Sequence, residues 1–339
     1  MKVLVHFEGT KIEQTEGARM RKTIKGALEL HEIKYTTTVL DTFDVAHFIS
    51  PDDMLKIHLA MEANKPIIVS ALYTEDDDSA RFLDYKRKLD GTSKVILKPK
   101  ALRLLNSSNI VMVPTEKARE QLINYGVTSE IKVVYPGVNL ARFDFSREDE
   151  KEIFYRYFRE DKSKKLVICF GGPTPAKEGI GTFINAAKAN PNAIFYYLAP
   201  YSEEKLHSKL RNYILRAPKN AKFKGILLDD VRRSALLNAD VVLLSTYTPA
   251  GVVSISEAMA AKCQIIARDG AAPSDLLING KNAYLGKFSE TLVSLVTDYL
   301  NNQLQPTIEN AYAEISKHDL QVFGNDIIKI YNEQISLKK

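Results

Sequence analysis

The 339-residue sequence predicts an α/β protein of two domains. Three observations predict it. Short apolar runs alternate with helix-forming segments through residues 3–136, the pattern of a parallel sheet covered by helices. A charge-rich stretch, residues 139–165, interrupts that rhythm, and the same alternation restarts at Leu166. The length suits two cores of roughly 150 residues each better than one.

The elements follow in order. VLVHF (3–7) reads as a first strand and not as a secretory leader. A glycine-containing loop leads to a helix over about 17–31. KYTTTVL (34–40) is β-branched and strand-like, and FDVAHFI (43–49) is a further strand. SPDDMLKIHLAMEA (50–63) opens with a Ser cap, Pro in the first turn and two early acids, which signals a helix start. KPIIVSAL (65–72) is a strand. The strands SNIVMVP (108–114) and EIKVVYP (130–136) bracket the helix TEKAREQLINYG. After the charged crossing, LVICFGG (166–172), AIFYYLA (193–199), AKFKGIL, DVVLLS and CQIIARD read as strands. Helices GTFINAAKA, EEKLHSKLRNYILRA, VRRSALLNA and VSISEAMAAK alternate with them. The domain division falls at 160, giving 1–160 and 161–315.

Composition excludes several classes. Hydrophobic residues make up 45% of the chain, enough to fill both cores, so the chain is not disordered. No run of about 18 apolar residues exists, so no spanning helix is expected. Cys169 and Cys263 each sit in an apolar run and read as buried thiols in a reducing compartment. The six histidines are scattered, which argues against a zinc site, and no metal is expected.

The net charge of +5 is unevenly spread. Lys86, Arg87, Lys88, Lys94, Lys98, Lys100 and Arg103 fall within eighteen residues that hold one Asp. Arg19, Arg21, Lys22 and Lys25 form a second group. Such patches suit phosphates or an anionic membrane surface, and equally a solvated helix face.

In open α/β sheets ligands bind where strands end and helices begin. Four such places stand out. EGTKIEQTEGA (8–18) offers Gly9 and Gly17 before a helix. GGPTPAKEG (171–179) combines a strand end, three glycines and Lys177, which suits an anion or a plain turn. It lacks the Walker spacing. In TPAGVVSISEAMA (248–260), Gly251 and Val252 present N–H groups and Glu257 suits ribose hydroxyls. In ARDGAAPSD (267–275), Arg268 and Asp269 are placed to pair with each other. The acids of LYTEDDD (72–78) read as a solvated loop. Ser70 has no His and Asp at motif spacing, so a nucleophilic triad has no support.

Nearly the whole chain resembles the retaining GT-B glycosyltransferases of the GT4 class, most closely the bacterial diacylglycerol-glycolipid glucosyl/galactosyltransferases. ALELHEIKYTTTVLDTFDVAHFISPDD and VMVPTEKAREQLINYGV with IKVVYPGVNLARF carry the likeness in the first half. VICFGGPTPAKEGIGTF and LNADVVLLSTYTPAGVVSISEAMAAKCQIIARDGAAPSDLLINGKNAYLG carry it in the second. The resemblance implies two Rossmann-like domains facing a central cleft, with residues 316–339 packing a last helix back on the N-terminal domain. It implies a UDP-hexose as substrate, with no tightly bound cofactor. Lys177, Gly171, Gly172, Gly251, Val252 and Glu257 would hold the donor, with Lys177 at the diphosphate and Glu257 at the ribose. Glu16, Gly17, Ser70 and Tyr73 would form the acceptor-side loop. The basic first domain would rest on the inner face of the cell membrane and receive a lipid acceptor.

The chain also departs from that pattern. Pro249 stands where the family has its first Glu, eight residues before Glu257, and proline offers neither acceptor side chain nor N–H. The expected His falls near 70–72 and is absent, and Gly172 stands where an Arg is frequent. Losing several groups that converge on one ligand removes transition-state stabilisation, about 10²–10³ in rate for each preorganised donor. Two expectations follow: a hexosyltransferase, or an inactive homologue serving as the partner of an active one.

Overall fold

The computed structural model describes the chain except residues 8–14, 50–53, 72–82, 88–92, 144, 172–178, 248–250, 272, 274 and 339. Of Met54 and of residues 83–87 and 93–96 it describes the backbone alone. The described residues fall into two compact units. One is Thr15–Gly137 with the first strand and His318–Lys339, and the other is Val138–Lys317.

The first unit is a six-stranded sheet: β1 (Lys2–His6), β2 (Lys34–Thr36), β3 (Val45–Ile49), β4 (Ile67–Ser70), then β7 (Ile110–Val113) and β8 (Glu130–Val133). Its order is β2-β1-β3-β4-β7-β8, with every pair parallel. The strands between are β5 (Leu83–Arg87) and β6 (Ser93–Leu97), an antiparallel pair outside the main sheet. Lys86 stands opposite Lys94 in that pair. Helices α1 (Glu16–Leu30), α2 (Met54–Glu62), α3 (Pro99–Asn106) and α4 (Glu116–Asn124) connect the strands. KYTTTVL supplies only a three-residue strand, because β2 lies at the sheet edge with β1 its sole neighbour.

The second unit holds β9 (Leu166–Phe170), β10 (Ile194–Leu198), β11 (Ala221–Lys224), β12 (Val241–Leu244), β13 (Gln264–Arg268) and β14 (Tyr284–Gly286). Its order, β11-β10-β9-β12-β13-β14, is that of a Rossmann sheet, again all parallel. Helices α5 (Glu148–Phe158), α6 (Ile180–Ala189), α7 (Glu203–Ile214), α8 (Asp229–Asn238), α9 (Val252–Ala260), α10 (Ser289–Leu300) and α11 (Ile308–Ile315) belong to it. One core cluster stacks Phe183, Phe195, Tyr197 and Phe223, with Phe183 5.5 Å from Tyr197 and 5.6 Å from Phe223 between ring centroids. Edge-to-face pairs of this kind add to burial and hold the sheet to α6.

The division drawn from the charge run at 160 falls inside this second unit. The charged face of α5 hides one apolar stripe: Phe154 is fully buried, its ring 5.0 Å from that of Tyr196. Its N–H donates to Ser234 Oγ at 2.9 Å.

The last helix, α12 (Leu320–Leu337), packs within the first unit on α1 and β3. Asp319 caps it, accepting from the Val322 N–H at 2.8 Å. Its Tyr331 is fully buried and bonded to His47 of β3, Oη to Nδ1 2.7 Å. His47 Nε2 meets Ser70 Oγ at 2.7 Å, so three buried polar groups from α12, β3 and β4 satisfy one another.

Cys169 and Cys263 are free thiols, both buried. Burial pushes the Cys263 thiol well above its ordinary range. No described helix is long and apolar enough to cross a membrane.

Candidate functional site

Strand order reverses in the second unit between β9 and β12, so the crevice at their carboxyl ends is where this topology places a ligand. Phe170 ends β9 and Gly171 follows. A Cβ on Gly171 would lie 2.2 Å from the Tyr197 ring, so this glycine admits the buried tyrosine whatever else it does. Gly172 and Lys177 lie outside the described residues. Gly179 precedes α6 with φ +69°, and a Cβ there would lie 2.1 Å from the Ser245 carbonyl oxygen. The start of α6 thus presses directly on the backbone that follows β12. Gly179→Ala is expected to cost at least ~1–3 kcal/mol, read as a lower urea midpoint. An unchanged midpoint would show that this contact is not made.

Gly251 precedes α9 and caps it with no side-chain bond. The first N–H groups of a helix have no partner inside it. Val252 opens the helix and is buried. Glu257, one and a half turns on, faces α8. Its Oε2 accepts from Arg232 Nη1 at 2.6 Å, and both side chains are largely buried. The Arg232 guanidinium also lies 5.0 Å from the centroid of the Phe170 ring. Arg232 was not legible as a site residue, because only the packing of α8 beside α9 brings it to Glu257.

Arg268 does not pair with Asp269. It ends β13 with its guanidinium turned inward, where Nε donates to the Ser245 carbonyl at 3.0 Å and Nη1 to that of Lys287 at 2.9 Å. Nη2 reaches Thr182 Oγ1 at 3.1 Å and Ser289 Oγ at 3.3 Å. The Tyr247 ring covers it, 3.8 Å from Cζ to centroid, and its hydroxyl meets Ser289 Oγ at 3.1 Å. Burial holds the Arg268 pKa below its ordinary value. Turning inward gives four acceptors a donor that an outward pair with Asp269 would withhold.

The first unit corrects three expected loop positions. Glu16 and Gly17 are the first residues of α1, because Thr15 caps that helix by accepting from the Ala18 N–H at 3.2 Å. Glu16 is buried and paired with Arg19. Ser70 is the last residue of β4, fully buried against His47. The other partner of His47 is the Tyr331 hydroxyl, so no acid completes a nucleophilic triad there. Tyr73 and the acids at 74–78 lie outside the described residues. His6 ends β1 at this sheet's own switch point, its ring edge-on to Phe48 at 5.5 Å.

Of the expected basic surface, Lys98, Lys100 and Arg103 are exposed along α3, from its N-cap to its last turn. Lys86, Arg87 and Lys94 are placed by backbone on β5 and β6, and Lys88 is outside the described residues. Among the described residues no cluster of His, Cys, Asp and Glu could hold a metal ion.

Comparison with known proteins agrees with this architecture. Residues 21–142 match the model for glycosyltransferase family 4, and residues 153–318 that for glycosyl transferases group 1. The chain is a GT-B glycosyltransferase-family protein. Over 346 aligned residues, all of both chains, this GT-B chain is 24% identical to the processive diacylglycerol alpha-glucosyltransferase of Acholeplasma laidlawii. Its fold is that of Anabaena HepE, crystallised with UDP and glucose: TM-score 0.73, 15% identity, covering 98% of this chain and 100% of that one. Sucrose-phosphate synthase of Thermosynechococcus elongatus shares it at TM-score 0.64 and 13% identity, with 95% and 79% covered.

Proposed function

We propose that this GT-B chain is a hexosyltransferase. It takes a UDP-hexose at the carboxyl ends of β9 and β12 and passes the sugar, with retention, to a diacylglycerol-type lipid. The observation that carries the reading is Glu257, a carboxylate held by Arg232 at the switch point of a Rossmann sheet. The full-length likeness to a diacylglycerol glucosyltransferase supports the acceptor class. In this reading Glu257 accepts the ribose hydroxyls, and the start of α9 faces the diphosphate. Lys177 adds a cation there, so the charge that grows on departing UDP is neutralised. The exposed Lys98, Lys100 and Arg103 suit an anionic surface at the inner face of the cell membrane.

One observation favours a second reading. Pro249 leaves the place of a sugar-binding carboxylate without an acceptor, which suits an inactive homologue that binds and regulates an active transferase.

Calorimetric titration with UDP, UDP-glucose and UDP-galactose tests both. The hexosyltransferase reading expects micromolar binding, weakened about 10- to 100-fold by Glu257→Ala, and glucose or galactose transfer to diacylglycerol in anionic vesicles. Nucleotide binding without transfer favours the inactive partner. No heat from a folded sample sinks the donor site altogether.

A further inference from the structure

Arg232 and Glu257 form an ion pair that packing alone does not explain. Two charges taken largely out of water lose hydration, and their attraction offsets that loss only in part, so a buried pair adds little stability over apolar residues of similar size. The neighbouring charges are otherwise assigned. Arg233, the next residue on α8, bonds Glu150 at 3.3 Å and Asp230 at 3.2 Å and so ties α8 to α5. Arg142 is paired with Asp229. Arg232 alone of these turns to α9, and it does so beside Phe170, the last residue of β9. The pair therefore stands at the switch point and not on the outer helix layer.

We infer that Arg232 is a positioning residue: it fixes the Glu257 carboxylate so that it recognises the vicinal diol of a nucleotide ribose. The inference rests on the nucleotide-sugar reading above and adds the group that makes Glu257 selective. A carboxylate is an acceptor only, with lone pairs on both oxygens. A diol brings two O–H donors on adjacent carbons, which a carboxylate satisfies only in a restricted orientation. The short bond from Arg232 Nη1 to Oε2 sets the rotation of that carboxylate about its last torsion, which is otherwise broad. The planar, always charged guanidinium supplies a fixed direction as well as a charge; a lysine ammonium supplies the charge without the fork.

The test compares calorimetric affinities for UDP and for 2′,3′-dideoxy-UDP in the wild-type protein, Arg232→Met, Arg232→Lys and Glu257→Gln, with melting temperatures alongside. The wild type is expected to prefer UDP by about 10- to 100-fold, the worth of hydrogen bonds to a charged group. Arg232→Met should bring that preference to within about threefold, leaving dideoxy-UDP affinity within about threefold of wild type, well short of the loss of a charged hydrogen bond. Arg232→Lys should restore part of the preference, and Glu257→Gln should match Arg232→Met. If Arg232→Met weakens both ligands equally with a lowered melting temperature, the pair is structural and the inference fails. A wild-type preference retained in Arg232→Met also overturns it. Absence of UDP binding by the wild-type protein would instead remove the nucleotide reading on which it stands.

Discussion

Replacing Arg268 with leucine should lower stability by about 2–4 kcal/mol, and do so without touching either sheet ladder. The guanidinium donates to two backbone carbonyls and two hydroxyls drawn from three segments of the second unit. Without it the Ser245 and Lys287 carbonyls lose a donor, at about 1–3 kcal/mol for each that water cannot reach. One effect opposes this. The desolvated cation disappears, and with it the energetic burden of burying a charge that Tyr247 and Glu290 offset only in part. The losses win because they include two fixed backbone groups, whereas the hydroxyls of Thr182 and Ser289 can turn to each other, as their bond at 2.8 Å shows. For a unit of this size the loss corresponds to roughly 2–4 °C per kcal/mol in melting temperature. Arg268→Lys should recover less than half, since one ammonium cannot span four acceptors. The chain has no tryptophan, so near-ultraviolet circular dichroism reports its tyrosines, and Tyr247 should lose its fixed environment in both variants. Full stability in Arg268→Lys would show that charge alone, and not the fork, holds these segments.

The partners of Arg268 are not encoded locally, whereas β9 is. Strands such as Leu166–Phe170 are announced by composition: a continuous apolar run is consistent only with burial on both faces. The alternation of such runs with helical segments therefore showed both sheets, and in the structure Thr115 and Ser202 cap α4 and α7. What the run does not encode is strand order, because the side to which each crossover turns depends on packing with helices far along the chain. Hence the placing of β12 beside β9, which creates the candidate site, became visible only in the structure. The same holds for pairs of side chains. Arg232 and Glu257 are 25 residues apart, and His47 and Tyr331 are 284 apart. Asp269, by contrast, is adjacent to Arg268, and adjacency made a wrong partner look natural. Residues along an extended chain point to opposite faces, so neighbours in sequence are poor partners in a strand. The charge-rich stretch 139–165 misled for a related reason. Its abundance of charge hid the single stripe, Phe154 and Phe158, by which α5 joins the second unit.

The His47 network yields the other large effect, and its sign depends on pH. Burial holds the His47 pKa down to about 3, against an ordinary value near 6.5, so the imidazole is neutral in the folded protein. Below pH 6.5 the unfolded chain binds a proton at this position that the folded chain does not. Stability from this group is therefore present in full above about pH 6.5 and is lost as pH falls toward 3. At pH 4.5 the loss is on the order of 2–3 kcal/mol, from two pH units at 1.36 kcal/mol each. The neutral ring also bonds two hydroxyls, Nε2 with Ser70 and Nδ1 with Tyr331, and each bond is worth about 1 kcal/mol. His47→Gln removes the titrating group while keeping one donor and one acceptor. In urea unfolding at pH 8 the wild type should be the more stable by about 1–2 kcal/mol, from the imperfect fit of the amide to two fixed hydroxyls. By pH 4.5 that advantage should vanish or reverse, because only the wild type carries the proton-linked loss. Tyr331→Phe should cost about 1 kcal/mol at pH 8, with the loss felt where α12 meets β3. A difference between wild type and His47→Gln that stays constant from pH 8 to 4.5 would mean that His47 titrates alike in both states. The hydrogen-bonded, water-free setting between β3, β4 and α12 would then be wrong.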